Sequence, residues 1–124
     1  MRKYKELNVW KESVKLVTEV YKLCTLLPDS EKYGMISQMQ RASVSIPSNI
    51  AEGCSRRSDI EFSRFLEISL GSAFELETQL IIISELKLLN INKSLEEVFS
   101  QIEKVQKMMN SFKTKILKPN NLKT

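Results

Sequence analysis

The chain has 124 residues, 42% hydrophobic and 27% charged, the profile of one soluble globular domain large enough to bury a core without disulfides or metals. It holds no histidine and only two cysteines, Cys24 and Cys54, with no CxxC pair. That excludes Cys/His zinc sites and Ser-His-Asp or Cys-His catalysis. The formal charge of +4 is unevenly placed: Arg2, Lys3 and Lys5 open the chain, residues 104–124 carry lysines and no acid, and residues 58–86 carry acids against a single Arg64.

The N-terminus is polar and lacks the apolar core of a signal peptide. The longest strongly apolar run, Leu80 to Ile83, is far short of a membrane span. The chain is therefore expected in the cytoplasm, away from membranes, with both thiols reduced. Three Gly and three Pro leave few tight turns, which points to an all-α chain.

The first helix is predicted over about 8–27. Trp10, Val14, Val17, Tyr21 and Cys24 step by four and three, and Val9, Leu16, Val20, Leu23 and Leu27 widen that stripe. Asn8 is placed to cap it, and Pro28-Asp29-Ser30 to stop it. The second helix is predicted over about 31–57, with Ile36, Met39, Ser43, Ile46, Ile50 and Gly53 in register and a kink near Pro47.

The third helix, about 59–89, opens on the capping box Ser58-Asp59-Ile60-Glu61 and is expected to stop near Asn90. Phe62, Phe65, Leu66, Ser69, Ala73, Leu76, Leu80 and Ile83 form its apolar stripe. A patch of small residues at Ser69, Gly71, Ser72 and Ala73 predicts close approach of another backbone, because a mid-helix glycine costs about 1 kcal/mol against alanine. The fourth helix, about 95–117, opens on a second capping box at Ser94 to Glu97. Leu95, Val98, Ile102, Val105, Met109, Phe112 and Ile116 keep an unbroken heptad along it. A flexible tail is expected at 118–124. Long helices on short connections predict a single-domain, antiparallel up-down-up-down four-helix bundle.

The most unusual stretch is Gln38 to Gly53, which puts a proline, three serines, an asparagine, an arginine and a glutamate where a helix belongs. Serine and asparagine compete for backbone hydrogen bonds and proline removes one, so the stretch needs a tertiary or functional reason. Together with Leu7-Asn8-Val9-Trp10, the run Pro28 to Gly34, Phe65-Leu66 and Gly71 to Leu76, it resembles the bacterial four-helix-bundle proteins encoded within intervening sequences of 23S ribosomal RNA genes. The resemblance covers nearly the whole chain. It implies a ring-shaped homopentamer. It also implies kinship with the accessory variability protein of diversity-generating retroelements, a relative that binds nucleic acid and a reverse transcriptase. It supplies no catalytic residue and no cofactor.

Arg41, Asn49 and Glu52 share one face of the second helix by their spacing, and Glu75 lies on the third. The four read as a structural polar network that fixes register and subunit contacts; the alternative is a small polar pocket or a nucleic-acid contact. The candidate nucleic-acid-binding residues are Arg41, Arg56, Arg57, Lys107, Lys113 and Lys115. The aromatic residues on the helix stripes, Tyr21 and Phe74 among them, read as core or subunit interface, and Tyr4 and Tyr33 as the better candidates for exposed rings. The sequence thus predicts a non-catalytic, oligomeric protein without metal or cofactor, binding structured RNA or DNA through its basic surface. The alternative is an interaction scaffold for a partner enzyme such as a reverse transcriptase, without direct nucleic-acid contact. Segregated charge is what favours the first.

Overall fold

A computed structural model of the chain describes residues 2–90 and 92–118. Four long helices carry it: α1 Asn8–Cys24, α2 Ser37–Cys54, α3 Asp59–Glu85 and α4 Lys93–Ile116. Among the described residues there is no strand. A short 3-10 turn, Tyr4–Glu6, leads into α1. A second, Asp29–Glu31, and a wide turn, Lys32–Ile36, lead into α2. The elements form a helical bundle. The tail expected at 118–124 lies, from residue 119 on, outside the described residues.

The helix ends differ from the expected ones for identifiable reasons. Asn8 is the first residue of α1 and does not cap it; the preceding Leu7 is extended and offers no side-chain acceptor. After Cys24 the chain tightens, with Leu26 and Leu27 amides donating to the carbonyls of Leu23 and Cys24. Leu27 stays buried although the α-helix has ended. The α2 helix starts at Ser37, not near residue 31, because Gly34 has non-helical angles (φ −108°, ψ −107°). It then runs on through a buried Pro47 to Cys54.

Ser58 caps α3 by accepting the Glu61 amide at 3.1 Å. The helix stops at Glu85, before Asn90, because Lys87 turns left-handed (φ 55°). The Lys87 and Leu88 amides then donate back to the carbonyls of Ser84 and Ile83, the bonding of a Schellman C-cap. For α4 the cap is Asn92, whose Oδ1 accepts the Leu95 amide at 2.9 Å, in place of the Ser94 box.

The core runs the length of the bundle. Leu16, Val20, Leu23, Met39, Ile46, Ile50, Leu76, Leu80, Ile83, Ile102 and Val105 are fully buried. A side chain of this kind contributes about 1.5–3 kcal/mol when removed from water. Of the α4 heptad only Phe112 is not fully inside; it stacks edge-on against Phe62, with ring centres 5.6 Å apart. On α1 the stripe through Val9, Leu16, Val20 and Leu23 is the buried one, whereas Tyr21 is exposed.

Two seams hold the helices in register. Between α1 and α4, the Gln101 amide donates to the Glu12 carbonyl (2.9 Å) and carboxylate (2.8 Å), and Lys104 reaches the same carboxylate at 2.9 Å. The Gln101 amide and the Lys104 ammonium hold the Glu12 carboxyl below its ordinary range. Between α2 and α3, the Ser69 hydroxyl donates to the Ile46 carbonyl at 2.8 Å, and the Ser45 and Ser72 hydroxyls meet at 2.9 Å. Asn49 donates to the Ser45 carbonyl and hydroxyl. Gly53 lies so close to Phe62 and Phe65 that a Cβ there would come within 2.6 Å of the Phe62 ring.

Candidate nucleic-acid interface

The fold collects basic residues that are far apart in sequence. The Arg2 amide donates to the Cys54 carbonyl at the end of α2. The Arg2 guanidinium pairs with Asp59 at the start of α3 (2.7 Å) and lies 5.1 Å from the centre of the Phe62 ring and 5.9 Å from that of Phe112. One residue, through its amide and its guanidinium, thus ties the N-terminal segment, the end of α2, the start of α3 and the end of α4 together. Lys3, Lys5, Arg57 and Lys118 stand exposed there, and none forms an ion pair among the described residues. Arg56 pairs with Glu52 at 2.7 Å and covers the Phe65 ring at 4.5 Å. Lys113 lies 3.8 Å from Glu67. Ion pairs this exposed contribute about 0–1 kcal/mol, so a phosphate can compete for their cations. The stretches around the ends of α1 and α3 and the start of α4 mix Lys22, Lys32, Lys87 and Lys93 with Asp29, Glu31, Glu85, Glu96 and Glu97.

Of the basic residues singled out from sequence, Arg56, Arg57, Lys113 and Lys115 gather at this end. Lys107 sits further up α4, paired with Glu103 at 3.1 Å. Arg41 lies thirteen residues before Cys54, the end of α2, about 20 Å along the axis, and does not join the cluster. Arg2, Lys3 and Lys5 do; their crowding at the N-terminus was the signal for them.

The four polar residues do not form one network within the chain. Arg41 is exposed, and no hydrogen bond or ion pair joins it to Asn49, Glu52 or Glu75. Glu52 turns to Arg56, and Glu75 accepts the Gln79 amide at 3.3 Å. The register-fixing bonds fall to the neighbouring serines and Asn49.

The outer side of the same helix pair is apolar for a water-facing surface. Arg41, Val44, Ser48 and Glu52 line α2, and Ile68, Gly71, Glu75, Thr78 and Ile82 line α3, all exposed and at helical spacing. Ile68 is 52% exposed and Phe74 49%. A Cβ at Gly71 would meet nothing within 4 Å, so no contact inside the chain explains that glycine.

Among the described residues no group of His, Cys, Asp or Glu is arranged to hold a metal ion, and no helix is long and apolar enough to cross a membrane. Both cysteines are buried and unpaired, and burial pushes the Cys24 thiol up to about 11.

Compared with known proteins, residues 5–111 match the family described as 23S rRNA-intervening sequence protein. Among solved structures, the chain is similar to a protein of unknown function from the S23 ribosomal protein family of Bacteroides thetaiotaomicron. The two superpose with a TM-score of 0.76 at 24% identity, over 85% of this chain and 97% of the other. No curated protein gives a significant match.

Proposed function

The chain belongs to the 23S rRNA-intervening sequence protein family, and we propose that it is a non-catalytic, self-assembling protein that binds nucleic acid through its basic end. The observation that carries this is the gathering of Arg2, Lys3, Lys5, Arg56, Arg57 and Lys113 from three separate stretches of chain at one end of the bundle. Backbone phosphates are the general ligand of such a surface. The cross-helix contacts support successive helices running antiparallel, up-down-up-down, with any bend of α2 at Pro47. Kinship with the retroelement accessory variability protein agrees with a nucleic-acid ligand. No enzyme is proposed: Glu52 and Glu75 face separate partners, and the chain has no histidine. A cytoplasmic location belongs to the same proposal.

Self-assembly is supported by the outer face of α2 and α3. A solvent-facing mid-helix glycine costs about 0.5–1 kcal/mol against alanine. A second copy packed against Ile68, Gly71 and Val44 gives that glycine a reason, with the implied pentamer as the expected stoichiometry.

The test is fluorescence anisotropy with labelled RNA and DNA across a salt series. Binding should be indifferent to sequence and fall steeply between about 50 and 200 mM salt. Absence of binding at low salt removes the nucleic-acid function. A stoichiometric protein partner purified without nucleic acid would favour the scaffold instead.

A further inference from the structure

We propose that the groove around the N-terminal turn is a track for a single, unpaired nucleic-acid strand, a site that rests on the nucleic-acid function proposed above and narrows it to one ligand class. Three clefts adjoin at the basic end. The first, about 470 Å³, lies between the Lys3–Glu6 segment and the last turn of α2, with Ala51, Cys54 and Ser55 as its floor. The second, about 550 Å³, shares Arg2, Lys3 and Glu6 with the first and reaches Phe112 and Lys115. The third, about 430 Å³, shares Lys115 and continues past Thr114 to Lys118. Shared lining residues join the first cleft to the second, and Lys115 alone joins the second to the third.

Size, shape and chemistry select the occupant. Each cleft is within the range that holds a small organic group, about 300–1,000 Å³, the scale of a nucleotide and not of a duplex. Proteins that read duplexes push a helix or ribbon into the groove of the nucleic acid. Here the basic surface is itself concave: the first two clefts set cations beside apolar and aromatic groups, and the third is lined by polar groups and lysines alone, a combination that suits splayed-out bases at one part of the path and phosphate backbone along the rest. Lys3, Lys5 and Lys118 stand along the path as exposed cations with no ion pair among the described residues. Tyr4 lines the first cleft and Phe112 the second, offering ring surface to bases. The acids on the path are Glu6 and Asp59, and Asp59 is already held by Arg2.

The experiment uses the full chain and fluorescein-labelled oligo(dT) and oligo(rU) of about 4–16 nucleotides, beside a mixed-sequence duplex, at about 50 mM salt. Single strands should bind about tenfold or more tightly than the duplex. Tyr4 packs edge-on to Trp10, the one tryptophan, at 5.2 Å, so occupancy should change the intrinsic fluorescence. Lys3→Glu with Lys5→Glu should weaken single-strand binding about tenfold or more, with an unchanged helical circular-dichroism spectrum. Lys87→Glu with Lys93→Glu, neither of which lines the three clefts, should leave it within about twofold. Binding of only one oligomer identifies the strand as RNA or DNA and supports the track either way. Duplex binding as tight as single-strand binding overturns the track but leaves the basic-end function standing. No binding of any probe overturns both.

Discussion

The inner and outer sides of the α2–α3 pair use the same small residues under opposite constraints. On the inner side Gly53 has no room for a side chain: an added Cβ would sit 2.6 Å from Phe62 and 2.9 Å from the Cβ of Phe65. On the outer side Gly71 has open space around it and solvent in front of it. The first glycine is explained by the fold of one chain. The second weakens α3 with no return inside the chain. Smallness thus answers to a close approach at Gly53, whereas at Gly71 no surface of the same chain approaches.

The largest expected effect falls on the inner side. Gly53→Ala must force the Phe62 ring or the α2–α3 spacing to give, and overpacking of this kind costs about 1–3 kcal/mol. Urea denaturation should show a lower midpoint at unchanged slope. An unchanged midpoint would mean that the seam is looser than the 2.6 Å approach implies.

Next in size is Ser69→Ala. Ser69 is fully buried, and its hydroxyl satisfies the Ile46 carbonyl one residue before Pro47. Losing that bond should cost about 1 kcal/mol. The matching change on the outer side of α2, Ser48→Ala, should be nearly silent in the same measurement, because Ser48 is exposed. Equal losses at both serines would erase the contrast between the two sides.

The inner side was legible in the sequence, because burial imposes period and size together. The α4 heptad and the α3 stripe point inward as the spacing predicts, since each apolar residue has only one direction out of water. Helix ends were less legible. The stop of α3 is a left-handed Lys87, a conformation that glycine or asparagine usually signals. The late start of α2 depends on the backbone of Gly34, which carries no side-chain signal. The polar residues were harder still. Helical spacing grouped Arg41, Asn49 and Glu52, but Arg41 and Glu52 lie on the exposed stripe of α2 while Asn49 bonds to Ser45 beside the α3 seam; spacing cannot say whether a face meets the chain itself, another copy or water. The basic end was half legible. Each cluster of cations was plain, but that residues 2–5, 56–57 and 113–118 meet in space follows only from Arg2 reaching Cys54, Asp59 and Phe112.

Gly71→Ala has a smaller effect and separates two properties. In the isolated chain the added methyl meets nothing, so α3 should gain about 0.5–1 kcal/mol. If a second copy packs there, the same methyl stands in its way, and light scattering should show a lower mass at a given concentration. A protein that is more stable and keeps its mass would remove Gly71 from the assembly surface.

The smallest effect on stability is expected at Arg41. It is exposed and joined to no other described group, so Arg41→Ala should shift the unfolding free energy by less than about 0.5 kcal/mol. A solvated arginine on the same exposed stripe of α2 as Val44 gains a role if something covers that face. Glu75, on the outer stripe of α3, makes a single 3.3 Å contact with Gln79 and carries the opposite charge. Arg41→Glu should therefore lower the mass in solution, as should Glu75→Arg, and the double exchange should restore it. Restoration would locate the pair across the interface between copies, because within one chain no contact joins the two residues. If both single exchanges keep the parental mass, the apolar strip of α2 and α3 serves some surface other than its own copy.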